Sequence, residues 1–176
     1  MSKKNSEPKI LLDSDVVIHF VKGGKQLLLP KIYPDRFVML DIVHKELTVR
    51  NSKALPINNF LDWCKIPVIE MPTDRMILME YAKLKAELVG EGEAACMAVA
   101  RFKKEYIASS NLSDIYDYCK LHNIVYYTTM DLLLELYNKG LISEAECDLF
   151  IYDVKSKGSK LIKGVDKIEE YKKMKG

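Results

Sequence analysis

Three acidic residues stand where a metal ion could bind. Asp13 closes the apolar run KILL, Glu46 shares a predicted helix face with Ile42 and Val43, and Glu93 begins the apolar face of a later predicted helix. A carboxylate within an apolar face costs free energy unless it has a partner. Carboxylate oxygens suit Mg²⁺ or Mn²⁺, and such a metal could activate water for displacement at a phosphodiester. The cluster alone does not distinguish a nuclease from a phosphatase.

Each acid also has an ordinary structural explanation. Asp13 could cap the helix that follows it, Glu46 could reach water from a boundary position, and Glu93 could be an acid favoured by the helix dipole. Asp15 lies in the first turn of a predicted helix, and there the dipole explanation is preferred. The metal hypothesis therefore depends on the three acids together, because no single one requires it.

The elements that must position these acids alternate along the chain. Short apolar runs predict strands at KILLD, RFVML, IPVIEM, YIAS and IVYYTT, and helical patterns separate them. Ser14 is predicted as the N-cap of the first helix. Alternating strands and helices indicate βαβ units, with a parallel sheet and helices on both faces. In such sheets, sites form beyond the carboxyl ends of the strands. We predict one domain over residues 9–153, an N-terminal tail at 1–8 and a basic C-terminal tail at 154–176.

Composition narrows the class of protein. The 176 residues suffice for one domain with a core, and no apolar run approaches the ~20 residues of a membrane span. No signal-peptide pattern is present, so we expect a cytoplasmic protein without a membrane partner. The four cysteines form no CxxC pair, which favours buried thiols over a zinc site.

Charge is unevenly distributed along the chain. Residues 155–176 contain eight lysines and three acids, a charge of +5, whereas the rest contains 19 basic and 22 acidic residues, a charge of −3. A basic tail can contact phosphates, but such a run is more often solvated, and solvation is the preferred interpretation.

Four segments resemble the PIN domain, the fold of many metal-dependent ribonucleases, including VapC-type toxins. These segments are ILLDSDVVIHF, DIVHKEL, GEGEAACMAVA and TTMDLLLELYNKGLISEAE. The resemblance implies a three-layer α/β/α fold with a five-stranded parallel sheet in the order 3-2-1-4-5. It implies that Asp13, Glu46 and Glu93 are catalytic and bind Mg²⁺ or Mn²⁺. It also implies an RNA substrate, an antitoxin partner and pairing as a homodimer.

The resemblance breaks at a fourth acidic position, after the fourth strand, where this chain has Ser109-Ser110-Asn111. Ser110 or Asn111 could be a neutral metal ligand, and either could also cap the next helix. Alternatively, Asp114 or Asp131 could replace the missing charge.

We therefore predict a metal-dependent endoribonuclease of toxin–antitoxin type that hydrolyses RNA phosphodiester bonds. Arg50, one turn beyond Glu46, could contact the RNA backbone, although an exposed helix arginine is usually solvated. The alternative is a catalytically inactive PIN-like module that binds RNA or a protein partner.

Overall fold

The computed structural model describes residues 7–49, 54–87 and 89–176. Arg50 and residues 1–6 of the predicted N-terminal tail lie outside these ranges. The described chain forms five strands and ten α-helices. In chain order they are β1 (Ile10–Leu12), α1 (Ser14–Lys22), a 3₁₀ turn (Gln26–Leu28), α2 (Leu29–Ile32), β2 (Phe37–Leu40), α3 (Asp41–Val49), α4 (Ala54–Cys64), β3 (Val68–Ile69), α5 (Arg75–Ala86), α6 (Glu91–Lys103), β4 (Tyr106–Ala108), α7 (Leu112–His122), β5 (Tyr126–Tyr127), α8 (Thr129–Asn138), α9 (Glu144–Ser156) and α10 (Ile168–Lys175).

The five strands form one parallel sheet in the order β3-β2-β1-β4-β5. In the central strand, Leu11 pairs with Val38 of β2 and with Ile107 of β4. All three residues of β1 are buried, as expected for a parallel strand with helices on both of its faces. The predicted fold class and strand order are confirmed. The strand order reverses at β1, because β2 and β3 extend to one side of it and β4 and β5 to the other. The carboxyl ends of β1 and β4 therefore lie together at the edge where sites form.

Two helical layers enclose the sheet. α6 packs against α3, α5 and α7, whereas α1 packs against α8 and α9. Nearly the whole inward face of α6 consists of small or flexible apolar residues, which lets the helix lie close to β1, β2 and β4. The four cysteines are buried free thiols, as predicted. Within the described residues, no helix combines the length and the apolar character that crossing a bilayer requires.

The prediction that Ser14 is the N-cap of α1 is wrong. The cap is Asp13, whose backbone is extended and whose carboxylate accepts a hydrogen bond from the Ser14 backbone N–H at 2.8 Å. Ser14 is thus the first helical residue. The strand ends and the helix begins with no residue between Leu12 and the cap, which fixes the Asp13 side chain at the carboxyl edge of the sheet.

The C-terminal segment packs against the sheet domain. α9 extends through Ser156, beyond residue 153, and α10 lies against α8 and α9. Val165, Ile168 and Tyr171 are buried at a spacing of three residues, so one face of this lysine-rich segment contributes to the core.

Candidate functional site

Asp13 lies where β1 meets α1. Its backbone N–H donates to the Ala108 carbonyl at 2.9 Å, which holds it beside the end of β4. The residue is 4% exposed. Burial and the nearby charge of Asp15 raise the pKa of Asp13 to about 7, although hydrogen bonds from Ser14 and Ser109 act in the opposite direction. Ionising Asp13 in the folded protein therefore costs free energy near neutral pH.

Glu93 enters the same edge from the first turn of α6 and is 6% exposed. The Ser109 hydroxyl donates to its Oε1 at 3.2 Å, and the Asn111 amide donates to its Oε2 at 3.1 Å. The same amide nitrogen donates to Asp114 Oδ2 at 3.0 Å, so it joins two acids. Burial, the charge of Asp13 and a hydrogen bond with Asp114 raise the pKa of Glu93 to about 9.

Glu46 reaches this group from α3. A β-carbon placed on Gly92 would lie 2.6 Å from Glu46 Oε2, so the carboxylate rests against the backbone of α6, one residue before Glu93. The charge of Glu46 also contributes to the raised pKa of Asp13. The structure therefore brings all three predicted acids to one edge of the sheet, from three different helices.

Asp15 belongs to this edge as well, although the sequence favoured a simple first-turn role. Its Oδ1 accepts from the Val16 backbone at 2.6 Å, as a first-turn acid does, but its Oδ2 accepts from the Ser110 backbone N–H at 2.8 Å. Burial raises the pKa of Asp15 to about 6 despite these hydrogen bonds. Asp15 thus links α1 to the loop that follows β4 and adds to the negative potential around Asp13.

Ser110 lies in a chain of hydrogen bonds that runs through Thr129 to His19. The Thr129 backbone N–H donates to Ser110 Oγ, and the Ser110 hydroxyl donates to Thr129 Oγ1, both at 2.8 Å. Thr129 Oγ1 lies 2.8 Å from His19 Nδ1. Burial lowers the pKa of His19 to about 4, so the ring is neutral at neutral pH. This chain fixes the wall of the site beside Asp15.

Asp131 has a structural role at the start of α8. Its Oδ2 accepts from the backbone N–H and hydroxyl of Thr128, while its Oδ1 accepts from the Tyr171 hydroxyl and pairs with Lys175 at 2.7 Å. Burial would raise the pKa of Asp131, but hydrogen bonds from Lys175, Thr128 and Tyr171 lower it. Of the two acids considered as replacements for the missing charge, Asp114 is the one that lies beside Glu93.

The donor set fits a hard divalent cation in chemistry and in charge. Asp13, Glu46 and Glu93 form no ion pair with any described lysine, arginine or histidine. The Ser109 hydroxyl beside Glu93 supplies a neutral oxygen, which Mg²⁺ accepts alongside carboxylates, whereas the Asn111 amide presents its nitrogen to Glu93. As the side chains stand, no three His, Cys, Asp or Glu residues of the described ranges are arranged to hold a single metal ion. The residues thus match a divalent cation in the type and charge of their donor atoms, but not in their present arrangement.

Gly92→Ala tests the position of Glu46 without removing a carboxylate. The new β-carbon would lie only 2.6 Å from Glu46 Oε2 and 3.1 Å from Val43 Cγ2, so the Glu46 carboxylate would have to move. We expect Mn²⁺ affinity to fall about tenfold, since misplacing a ligand has effects of that size. Stability should change by about 1 kcal/mol or less, because the flexible carboxylate can move and alanine favours the helix.

Gly90→Ala is the matched control for this variant, because a β-carbon there would meet nothing within 4 Å. Isothermal titration with Mn²⁺ and urea unfolding measure the two quantities. Equal Mn²⁺ affinity in Gly92→Ala and the wild type would contradict the placement of Glu46 in the site.

Comparison with known proteins gives no family assignment. No protein-family model matches the chain, and no curated protein is significantly similar to it. We call the carboxyl edge of the sheet that carries Asp13, Asp15, Glu46 and Glu93 the acidic edge. The class of the protein is therefore described by its fold and by the acidic edge. They define an α/β protein with a parallel 3-2-1-4-5 sheet and a cluster of carboxylates at its topological switch point.

The contacts of several residues at this edge were not predicted from the sequence. Ser109 is completely buried and donates to Glu93, yet a serine at a strand end gives no distinctive signal. Thr129 and His19 are joined across 110 residues of sequence. A detectable signal existed only for Asp15, because two acids separated by a single residue at a strand end are unusual in a buried position.

Proposed function

We propose that this protein is a PIN-like, metal-dependent endoribonuclease of toxin–antitoxin type, which hydrolyses RNA phosphodiester bonds with Mg²⁺ or Mn²⁺ held by Asp13, Glu46 and Glu93. The observation that carries the proposal is the convergence of buried Asp13, buried Glu93 and partly buried Glu46 beyond the end of β1, with the pKa of Asp13 and of Glu93 raised. Perturbed carboxyl groups without a cationic partner, clustered at a sheet's switch point, are typical of functional sites. The strand order supports the resemblance to PIN domains.

In this proposal the metal supplies the chemistry, and the residues around Asp13 and Glu93 hold its ligands in place. A bound Mg²⁺ or Mn²⁺ supplies an activated water and positive charge for the phosphate. The Ser14 backbone N–H holds the Asp13 carboxylate, and Ser109 and Asn111 orient Glu93. Because the pKa of Glu93 is about 9, Glu93 holds a proton at neutral pH, and it would have to release that proton to serve as a ligand.

The proposal extends to partners and location. RNA is the substrate, and an antitoxin protein, a homodimer and a cytoplasmic location are what the resemblance to VapC-type toxins implies.

The second candidate is a catalytically inactive PIN-like module that binds RNA or a protein partner. Asn111 favours it, because an uncharged amide lies between Glu93 and Asp114 and satisfies both carboxyl groups without a metal. A site stabilised in this way has less need of a cation than one that carries a fourth carboxylate.

Metal dependence tests the proposed function directly. We expect purified wild-type protein to cleave labelled single-stranded and structured RNA when Mn²⁺ is added, and to stop when EDTA removes it. Asp13→Asn, purified in parallel, controls for contaminating ribonucleases. Binding of RNA with no cleavage at any Mn²⁺ or Mg²⁺ concentration would favour the inactive module. Absence of both RNA binding and Mn²⁺ binding would rule out the enzyme and the RNA-binding form of the module, which leaves only a module that binds a protein.

A further inference from the structure

A short segment between α9 and α10 lies against the candidate site. We call residues 159–163 the lysine strap. Its two central residues, Leu161 and Ile162, are half-buried and line a cavity of about 40 Å³ together with Ser110 and Tyr171. At its start, Lys22 Nζ donates to the Ser159 hydroxyl at 2.7 Å. The strap is therefore fastened at Ser159 and at its apolar centre, and it adjoins the Ser110 wall of the acidic edge.

The strap carries a lysine on each side of its apolar centre. Lys160 and Lys163 are exposed, and neither forms an ion pair with a described residue. Elsewhere in residues 155–176, three lysines are paired with acids, in Lys155–Asp166, Lys172–Glu169 and Lys175–Asp131. Lys157, Lys167 and Lys173 form no ion pair with a described residue either. What sets Lys160 and Lys163 apart is that they flank the apolar pair that lines a cavity with Ser110.

This arrangement answers an electrostatic problem of the site. A polyanion that approaches Asp13, Asp15 and Glu46 is repelled by them at long range, and a single bound cation offsets only part of that repulsion. Cations placed beside the site, within about one Debye length of 8–10 Å, would hold the flanking phosphates. Leu161 and Ile162 line a cavity with Ser110, which holds the backbone of the two adjoining lysines near this side of the site, whereas a solvated tail would leave it unconstrained.

We propose that Lys160 and Lys163 bind backbone phosphates of a single-stranded RNA that lies across the acidic edge. The choice of RNA rests on the proposed function, while the cation placement rests on the strap itself. Because an ammonium group is a point charge without base-reading geometry, these contacts supply affinity without sequence preference.

The test measures RNA binding to the full-length, metal-free protein in EDTA, using fluorescence anisotropy of a short labelled single-stranded RNA of mixed sequence. We expect Lys160→Ser/Lys163→Ser to weaken binding about tenfold at low salt. The slope of log Kd against log salt concentration should fall by about 1.4, which corresponds to two phosphate contacts on a single strand.

The matched control is Lys31→Ser/Lys120→Ser. Both lysines are exposed and lie in the last turns of α2 and α7, which lead into β2 and β5 at the opposite edge of the sheet. This control removes the same charge and should change the Kd by about twofold or less. Thermal melting of both double variants checks that the fold is retained, which is expected for exposed lysines.

Three outcomes would overturn the inference. These are unchanged RNA affinity in the strap variant, an equal loss in the control variant, and equally tight binding of a polyglutamate peptide, which would indicate a surface for acidic proteins. RNA hydrolysis in Mn²⁺ is measured separately. If the wild type fails to hydrolyse RNA but the strap variant alone loses binding, the enzymatic proposal fails and the strap inference holds.

Discussion

Asp13→Asn is expected to abolish measurable Mn²⁺ binding and RNA hydrolysis while making the metal-free protein more stable at about pH 8. Asparagine has nearly the same shape as aspartate and is an equally good N-cap, so the start of α1 should be preserved. What the variant removes is a charge that burial and Asp15 make costly. Loss of Mn²⁺ binding in a variant that stays folded would identify Asp13 as a metal ligand, and the gain of stability would show that its charge is costly without the metal.

The stability effect has a definite pH dependence. The pKa of Asp13 is about 7 in the folded protein, against an ordinary value of 3.8. The folded state therefore holds a proton that the unfolded state releases. The unfolding free energy falls as the pH rises through this window, and the loss is complete above the folded pKa. Glu93 adds the same sign over a window that extends from 4.5 to about 9.

Urea unfolding at several pH values in a chelating buffer measures this dependence. The wild type should lose stability between about pH 5 and pH 9, and Asp13→Asn should lose less, with a difference on the order of 2 kcal/mol at pH 8. Asp62→Asn makes the same chemical change at an exposed position of α4 and should leave the profile unaltered. Lower stability of Asp13→Asn at pH 8, or retained Mn²⁺ binding, would count against a cation site.

The fold was predictable because its signals are local. Short apolar runs alternate with helical patterns, and burial on both faces makes the central strand β1 wholly apolar. The positions of Asp13 and Glu93 follow from the same patterns, since each immediately adjoins a predicted element boundary. A helix that leads into a parallel strand begins at the carboxyl edge of the sheet, so Glu93 at the start of α6 lies at the same edge as Asp13.

The remainder of the site depends on contacts between distant segments. Asp15 looks like a first-turn acid in the sequence, and only the folded chain shows that its second oxygen accepts from Ser110. Asn111 begins α7 without a side-chain hydrogen bond to the helix backbone, because its amide is directed to Glu93 and Asp114 instead. Cap preferences describe the local alternative and cannot anticipate a tertiary partner.

The C-terminal segment shows the limit of arguing from charge. Its lysines favour the interpretation of a solvated tail, but Val165, Ile168 and Tyr171 recur at helical spacing and are buried. The apolar spacing was the stronger signal, since lysines on one face of a helix do not prevent the other face from packing. The net charge of residues 155–176 does not show that one face of the segment is apolar and the other carries the lysines.

Asn111→Asp is expected to tighten Mn²⁺ binding by about tenfold, because it places a further carboxylate between Glu93 and Asp114 and ligand charge strongly affects affinity for hard cations. The same variant should be less stable than the wild type without metal, because the amide that donates to both acids is lost. Asp114→Asn should act in the opposite direction and weaken Mn²⁺ binding, because the acid nearest Glu93 is then neutral.

Two further variants separate a ligand effect from a general charge effect. Asn138→Asp makes the same change at an exposed position at the end of α8 and should leave Mn²⁺ affinity unaltered. Ser110→Asp adds an acid one residue earlier, but the Ser110 hydroxyl bonds Thr129 in both directions. We therefore expect Ser110→Asp to lose about 1–3 kcal/mol of stability without tightening Mn²⁺ binding.

We measure Mn²⁺ affinity and RNA hydrolysis on all four variants. The results for Asn111→Asp distinguish the enzyme from the inactive module. If Asn111→Asp binds Mn²⁺ more tightly and hydrolyses RNA faster than the wild type, the amide limits an active enzyme. Hydrolysis by Asn111→Asp alone would mean that one amide keeps the natural protein in a binding role. Unchanged Mn²⁺ affinity would contradict the assignment of Asn111 to the cation site, because a carboxylate between two acids cannot be neutral toward a divalent cation that they share.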